Sequence, residues 1–417
     1  MNNKFLINLI NQIECYLDDN GKCCEVNLFN KENVIAVNNC RAQENEESEI
    51  IKGIEYYLFE EFLALKINNL TTKINYIMEK PLNENGEKQF SIREIENNIY
   101  DKNIDVIIKN KAKKILNEDI SRLYALIWKR RDALSRELFK KSYLQYYQDF
   151  FGANFDVIYS KKYEILKVIQ SEKKPQIDNL PVKTINSIKK DIVNVSNKLG
   201  IFFEEAKVKI EKSQKKNFSM YYTKGKVLLF LKEPNNYFEV QKVWHEFGHA
   251  IHYLKMDNSL NFVYKKIYDL RAMESMAILF ELIGSIYNGK EYMTTLLSGL
   301  RWTWVEFFSL YEILLRLEFD YKKMNEIINK NISEVFGDSY KVQSPIRFIN
   351  NAFKSYRYIS SFFIVLGIFS EGAEKELNFI NQTTGENILE FMRQGGKAIN
   401  NTNLEDKGLS FFLNKLN

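Results

Sequence analysis

Proline is nearly absent from this chain, and its absence limits what the chain can fold into. The 417 residues contain only 5 prolines, and residues 82–174 and 235–344 contain none. Proline interrupts a helix because it lacks a backbone N–H and its ring clashes with the preceding turn. Apolar residues in these stretches recur every three or four positions, which is the spacing of one helical face. The sequence therefore predicts long helices and a mainly α protein.

Two segments show the helical pattern most clearly. Residues 272–289, AMESMAILFELIGSIYNG, form an apolar segment that ends at a glycine, a usual helix terminator. Residues 115–151 form one long helical region with an apolar stripe made by Leu116, Ile120, Leu123, Ile127 and Leu134.

Strand signals are few. The segments EVNLF (25–29) and NVIAV (33–37) are candidates for a small hairpin across NKEN. GKVLLFL (225–231) is the better candidate for a strand, because Gly225 and Pro234 bound an apolar run. We expect a small β-sheet just before the histidine-rich segment described below.

Composition and charge exclude several classes of protein. Hydrophobic residues make up 45% of the chain and its net charge is only +5, so we expect a globular protein with no nucleic-acid partner. Apolar runs stay well short of the roughly 18 residues of a membrane span, and the start MNNKFLINLINQIECYL lacks the apolar region of a signal peptide. We expect no membrane partner and a cytoplasmic location.

The cysteines are expected to be free thiols; they are Cys15, Cys23, Cys24 and Cys40.

The 3 histidines of the chain all lie in VWHEFGHAIH, residues 243–252. His245 and His249 are four residues apart, so on a helix both imidazoles share a face and can bind one metal ion. Glu246 lies about 100° round the helix from His245. Its carboxylate therefore lies beside the metal, where it can take a proton from a water that the metal activates. Surface or packing histidines are the alternative, which a chain with so few histidines makes improbable. The motif predicts a zinc site.

A catalytic zinc site needs a third protein ligand, and histidine cannot supply it. His252 lies seven residues after His245, about 10 Å along the helix axis, and is predicted to pack or to support the ligands. A carboxylate must serve, which gives a His₂Glu set. Glu274 and Glu281 share one face of the following helix, so one of them can bind the metal while the other accepts a hydrogen bond from an imidazole. Alternatively, each of these carboxylates is a solvated charge on the helix surface and has no part in binding the metal. The candidates are Asp257, Asp269, Glu274 and Glu281, of which the last two are the pair.

The segment HEFGHAIH resembles the thimet oligopeptidase and oligoendopeptidase F family of zinc peptidases. That family has HExGHxxH, a ligand glutamate 25 residues after the second histidine, and another glutamate seven residues further on. The resemblance covers about residues 215–290 and extends, on helix content, over about 110–375. It implies one zinc per chain and a large helical, two-lobed peptidase with a central cleft that excludes folded proteins. The matching residues are His245, Glu246, Gly248, His249, His252, Glu274 and Glu281; the resemblance makes Glu274 the third ligand, with Glu281 and His252 supporting the ligand set.

The chain departs from the family at its N-terminal end and beside the ligand glutamate. Family members are usually considerably longer, so part of the N-terminal helical half is missing or remodelled. We predict a divergent N-terminal region at residues 1–105 and a helical zinc-peptidase catalytic region at residues 106–417. The family often has serine three residues after the ligand glutamate, where this chain has Ala277.

A third departure affects catalysis. The family carries a histidine near its C-terminal end, followed by tyrosines, that helps to stabilise the tetrahedral intermediate. The matching segment SPIRFINNAFKSYRYISSFF (344–363) has no histidine, so Tyr356, Tyr358 and Arg347 are the candidate donors. On a regular helix the two tyrosines point about 200° apart, so only one can face the site. Packing with Phe353 accounts for Tyr356, which favours Tyr358.

These observations predict a zinc-dependent endopeptidase that hydrolyses short or unstructured peptides. The strand GKVLLFL is a candidate to pair with an extended peptide by strand addition. The alternative is a zinc-binding homologue that binds peptides or a partner without cleaving them. The missing histidine favours that alternative, whereas Glu246 argues against it because this residue has no part in holding the metal. The sequence does not indicate an oligomeric state.

Overall fold

The structure, a computed structural model, describes residues 3–18, 28–41, 48–82, 90–97, 104–151, 155–171, 182–212, 219–223, 226–257, 270–288, 290–338, 349, 354–370 and 402–415. Helices dominate these residues, so the prediction of a mainly α protein is confirmed. The helices are α1 (Asn3–Asp18), α2 (Lys31–Arg41), α3 (Ser48–Glu79), α4 (Ile92–Asn97), α5 (Val106–Ile115), α6 (Ser121–Phe139), α7 (Tyr143–Phe151), α8 (Phe155–Ser160), α9 (Lys162–Ser171), α10 (Ile185–Lys198), α11 (Tyr237–Lys255), α12 (Leu270–Asn288), α13 (Lys290–Arg316), α14 (Tyr321–Phe336), α15 (Lys354–Ser370) and α16 (Thr402–Lys415). The strands are β1 (Val208–Lys212), β2 (Ser219–Thr223) and β3 (Lys226–Leu231).

The chain divides into two compact units. Unit 1 comprises Met1–Phe155 and Val305–Phe353, and unit 2 comprises Asp156–Trp304 and Lys354–Asn417. Unit 1 is helical, and part of its core is a cluster of aromatic side chains in which Tyr143 and Tyr147 donate hydrogen bonds to Glu60 at 3.2 and 2.6 Å. The functional boundary that we predict at residue 105 stays a prediction.

The predicted hairpin is wrong at its second strand. Residues 33–37 lie in α2, and residues 25–27 lie outside the described part of the chain. The side chain of Asn30 accepts a hydrogen bond from the backbone N–H of Asn33 at 2.7 Å, which caps the start of α2. Val34 and Val37 are then buried together on one helical face. This local cap and the burial of that face override the strand preference of valine and isoleucine.

The helical region at 115–151 is confirmed as helical but is not one continuous helix. A π-helical turn, Leu116–Ile120, joins α5 to α6, and α6 ends where Lys140 adopts a left-handed conformation with φ of 58°. Asp132 Oδ1 then accepts a hydrogen bond from Tyr143 N, the first residue of α7, at 2.9 Å. The predicted stripe is buried at its first four positions and half-buried at Leu134.

The sheet of unit 2 lies next to the helix that carries the histidines, as predicted. Its strand order is β1–β3–β2, with β3 parallel to β1 and antiparallel to β2. Val227, Leu229 and Leu231 alternate along β3 as buried residues, and α11 packs against this strand. The strand prediction is thus confirmed over residues 226–231, and residue 225 lies outside the described part of the chain. The expected pairing of this strand with a peptide is wrong, because β3 is the central strand and is hydrogen-bonded on both sides.

Two further expectations concern membranes and cysteines. Within the described residues, no helix is both long and apolar enough to cross a membrane. Cys40 is a free, buried thiol, as expected. Cys15 is disulfide-bonded, so the expectation of a free thiol is wrong there.

Candidate metal centre

Helix α11 begins at a well-formed cap that fixes the position of the histidine motif. The side chain of Asn236 accepts a hydrogen bond from Glu239 N at 3.0 Å, and Glu239 accepts one from Asn235 N at 2.7 Å. This reciprocal arrangement satisfies backbone donors that a helix start leaves free. Trp244 and Phe247 are fully buried, and each such burial stabilises the fold by about 1.5–3 kcal/mol. The motif residues His245, Glu246 and His249 are half-buried.

Helix α12 approaches α11 closely at Gly248. A Cβ atom added to Gly248 would lie 2.7 Å from both Ala277 Cα and Met276 O, so only glycine fits at this contact. Ala277, the position where the family often has serine, is therefore at the closest approach of the two helices. A hydrogen bond of 2.9 Å from Gln241 Nε2 to Ser285 Oγ joins the same two helices about two turns away from this contact. This pairing brings the carboxylates of α12 to the histidines of α11.

Three donor atoms converge at this contact. Glu274 Oε2 lies 3.5 Å from His245 Nε2 and 3.9 Å from His249 Nε2, and the donor atoms of the three residues all lie within 4.8 Å of one another. Tetrahedral zinc with bonds of 2.0–2.1 Å holds its ligand atoms about 3.3 Å apart, so a small contraction would complete the site. Among the described residues, these three form the one group of His, Cys, Asp and Glu able to hold a metal in this way. The residues fit a zinc ion with His₂Glu ligation.

Glu281 contacts the other ring nitrogen of His245. The distance between His245 Nδ1 and Glu281 Oε1 is 2.5 Å. Burial lowers the pKa of His245, but the charge and hydrogen bond of Glu281 and the charges of Glu274 and Glu246 outweigh it and raise that pKa to about 9. A metal bound here at neutral pH would displace a proton from His245; Nδ1–H would then donate to Glu281 and leave Nε2 to hold the metal.

Glu246 and His249 have contrasting environments. Burial raises the pKa of Glu246; the charge of His245 lowers it, and the charges of Glu274 and Glu281 raise it again. A carboxylate with a raised pKa is a stronger base than one in water. Burial and the charges of His245 and His252 hold the pKa of His249 well below its usual range. His249 is therefore neutral, which is the state in which an imidazole binds a metal.

The two candidate tyrosines lie in different surroundings. The Tyr358 ring stacks on His245 with ring centroids 6.3 Å apart and an interplanar angle of 26°. Burial and the charges of Glu274, Glu281 and Glu246 raise its pKa, so the phenol keeps its proton at neutral pH. Tyr356 is fully buried, and its O–H donates to Glu405 at 3.0 and 3.3 Å. The structure thus brings Tyr358, and not Tyr356, to the metal ligands.

The structure describes two of the remaining four candidates, His252 and Asp257. His252 is fully buried, and its ring nitrogens form no hydrogen bond within the described part of the chain, so its surroundings are those of a packing residue. Asp257 is exposed just beyond the end of α11. Arg347 and Asp269 lie outside the described residues.

The contact between Gln241 and Ser285 was not expected from the sequence. Gln241 lies one turn before His245, and Ser285 lies one turn after Glu281 and donates to the Glu281 carbonyl at 2.8 Å. The sequence shows that Gln241 is four residues from His245 and that Ser285 is four residues from Glu281. It does not show which faces of the two helices pack against each other.

Comparison with known proteins shows similarity of fold only. No family model matches the sequence, and no curated protein matches it. The solved structures that resemble it include an M32 carboxypeptidase from Deinococcus radiodurans, with 9% identity, a TM-score of 0.55, and coverage of 92% of this chain and 86% of that one. PZ peptidase A, solved with an inhibitor, has 12% identity, a TM-score of 0.57, and coverage of 93% and 79%. Metallocarboxypeptidase 1 of Trypanosoma cruzi has 13% identity, a TM-score of 0.51, and coverage of 92% and 84%. At these identities the likeness shows that the chain shares the fold of these large helical proteins.

Proposed function

We propose that this chain is a zinc-dependent peptidase with one zinc ion per chain. The observation that carries the proposal is that the donor atoms of His245, His249 and Glu274 converge on one point. Glu246 directly follows His245 on α11. Zinc bound there would polarise the carbonyl group of a peptide bond and activate a water molecule. The solved peptidases of the same fold support this reading.

Three residues around the ligands have roles that follow from their surroundings. Glu246 accepts a proton from the attacking water and passes it to the leaving amine. Glu281 holds the His245 ring in the tautomer that leaves Nε2 free. Tyr358, protonated and next to His245, donates its O–H to the oxygen on which negative charge develops. It replaces the histidine that the thimet-like family has in this part of the chain.

The position of the cleaved bond separates two candidate activities. The motif resembles that of endopeptidases, and we propose that the chain hydrolyses internal bonds of short or unstructured peptides. Two of the similar solved structures are named as carboxypeptidases, which favours removal of C-terminal residues as the second candidate.

Peptide pairs that differ only at the C-terminus distinguish these activities. The zinc-loaded protein is incubated with peptides that end in a free carboxylate or in an amide, and the products are identified by mass spectrometry. An endopeptidase cuts both members of a pair at the same internal bonds. A carboxypeptidase shortens only the free-carboxylate member, one residue at a time. If zinc-loaded protein cleaves no peptide of a diverse set, the peptidase proposal fails and the non-cleaving binding protein is favoured.

A further inference from the structure

The C-terminal helix α16 is held against α15 at backbone contact. A Cβ atom added to Gly408 would overlap the carbonyl oxygen of Phe363, and one added to Gly367 would overlap that of Leu404. The Phe412 side chain fills the remaining space, with its ring centroid 5.7 Å from that of Phe362 and 5.9 Å from that of Phe363. The position of α16 relative to α15 is therefore fixed, although α16 supplies no residue to the metal centre.

Glu405 is the charged residue of α16 that forms a hydrogen bond with the buried Tyr356 of α15. Its two carboxylate oxygens accept the Tyr356 O–H at 3.0 and 3.3 Å. Burial raises the pKa of Glu405, while the positive charge of Arg271 and the hydrogen bond from Tyr356 lower it. Tyr356 and Arg271 are both buried. A carboxylate of α16 thus accepts a hydrogen bond from a phenol of α15 and experiences the charge of a guanidinium of α12; these three groups are called the polar cluster.

This cluster adjoins the metal centre on two helices. Tyr356 precedes Tyr358 by two residues on α15, and Arg271 precedes Glu274 by three residues on α12. The Ser361 hydroxyl of α15 also donates to the Arg271 carbonyl at 2.8 Å. Because a helix turn moves as a unit, a shift at Tyr356 must also move the Tyr358 phenol relative to His245.

We propose that Glu405 is a positioning residue that holds Tyr358 beside His245 by anchoring Tyr356 through the hydrogen bond that joins α16 to α15. The role of Tyr358 in the reaction rests on the proposed function; the anchoring itself does not. A displacement of about 1 Å in a reacting group is enough to slow an enzyme by up to about 10²-fold.

Activity measurements test this role through a double-mutant cycle. Glu405→Leu, which removes the acceptor, is expected to lower kcat about tenfold with zinc content and KM little changed. The conservative Glu405→Gln, which keeps an acceptor for Tyr356, should recover part of that loss. Asp406→Asn, an exposed carboxylate on the same helix, is the matched control and should leave kcat unchanged. In a Tyr358→Phe background, Glu405→Leu should cause no further loss, because Glu405 acts through the missing hydroxyl. An equal loss in both backgrounds overturns the proposal.

A spectroscopic measurement tests the anchoring without relying on hydrolysis. The protein is labelled with 3-fluorotyrosine, and the ¹⁹F resonance that disappears in Tyr358→Phe is assigned to Tyr358. That resonance should move or broaden in Glu405→Gln and Glu405→Leu and stay in place in Asp406→Asn. An unmoved resonance in both Glu405 variants contradicts the proposal; if Glu405→Leu does not fold, Glu405→Gln decides. If wild-type protein cleaves no peptide, the proposed function fails while this comparison still decides the positioning role.

Discussion

At the scale of single residues, the two carboxylates of α12 contact His245 at different ring nitrogens. Glu274 faces the Nε2 atoms of both histidines, whereas Glu281 contacts Nδ1 of His245 alone. Glu281→Gln should weaken zinc binding by about 10–100-fold, the usual effect of removing a group that orients a ligand. Glu274→Gln should weaken it more, because a ligand is lost. Competition with a chromophoric chelator measures both affinities; a larger loss in Glu281→Gln would reassign the third ligand.

The tyrosines of α15 give a second prediction at this scale. Tyr358→Phe should lower kcat by about 10²–10³-fold at constant zinc content, because one donor to the developing oxyanion is removed. Tyr356→Phe leaves that donor in place but removes the hydrogen bond to Glu405, so it should lower kcat only about tenfold, as Glu405→Leu does. Arg347→Ala is measured in the same way, since this guanidinium is the remaining candidate donor. A large loss in Arg347→Ala alone would transfer the role to Arg347.

His252 gives a prediction about pH. Burial lowers the pKa of His252 from 6.5 to about 3. Between these two values the unfolded chain binds a proton that the folded chain does not, so this residue stabilises the fold fully above pH 6.5 and progressively less as the pH falls towards 3. Between pH 7.5 and 5 the loss is about 2 kcal/mol. Urea unfolding of the metal-free protein should therefore depend less on pH in His252→Met than in wild type, and identical pH dependence would contradict this account.

At the scale of helices and strands, the metal centre depends on how closely α11 and α12 pack. Gly248→Ala should weaken zinc binding, since the added methyl group meets backbone atoms of α12 and must push Glu274 and Glu281 away from the histidines. Overpacking of this kind costs about 1–3 kcal/mol, which exceeds or matches the gain of about 1 kcal/mol in helix propensity.

The matched control for this prediction is Ala250→Gly on the same helix. It lowers helix propensity by about 1 kcal/mol without adding an atom, so it should reduce stability and leave zinc affinity unchanged. Zinc affinity in Gly248→Ala equal to that of wild type would show that the two helices can separate without disturbing the ligands.

The elements that the sequence predicts well are those whose pattern is local. The histidine spacing on α11, the helix at 272–289 and the strand β3 follow from the order of residues alone. The strand predicted at 33–37 failed because the Asn30 cap and the shared face of Val34 and Val37 favour a helix. The strand-addition site failed because the neighbours of β3 in the sheet are set by the fold of the chain and not by the strand's own residues.

At the scale of the whole molecule, the described residues of the candidate centre all belong to unit 2, which is built from two separate stretches of chain. The ligands lie in the first stretch, whereas Tyr358 and Glu405 lie in the second. Sequence pattern predicted the two histidines because HExxH is short-range, and the family resemblance selected Glu274 among four candidate carboxylates; the structure brings these three residues together. Sequence pattern did not predict the role of Glu405, because its contact with Tyr356 joins residues that are 49 apart in the chain. The residue pattern of α16 also does not distinguish Glu405 from a surface carboxylate.

Peptide hydrolysis by Glu246→Gln, at zinc content equal to that of wild type, tests directly whether this chain is a zinc peptidase with Glu246 as its base. Wild-type protein with one zinc per chain should cleave peptides. The variant should bind zinc equally well, because His245, His249 and Glu274 remain, and its kcat should fall by about 10²–10⁴-fold with the loss of the base. Equal turnover by the two proteins would contradict the account.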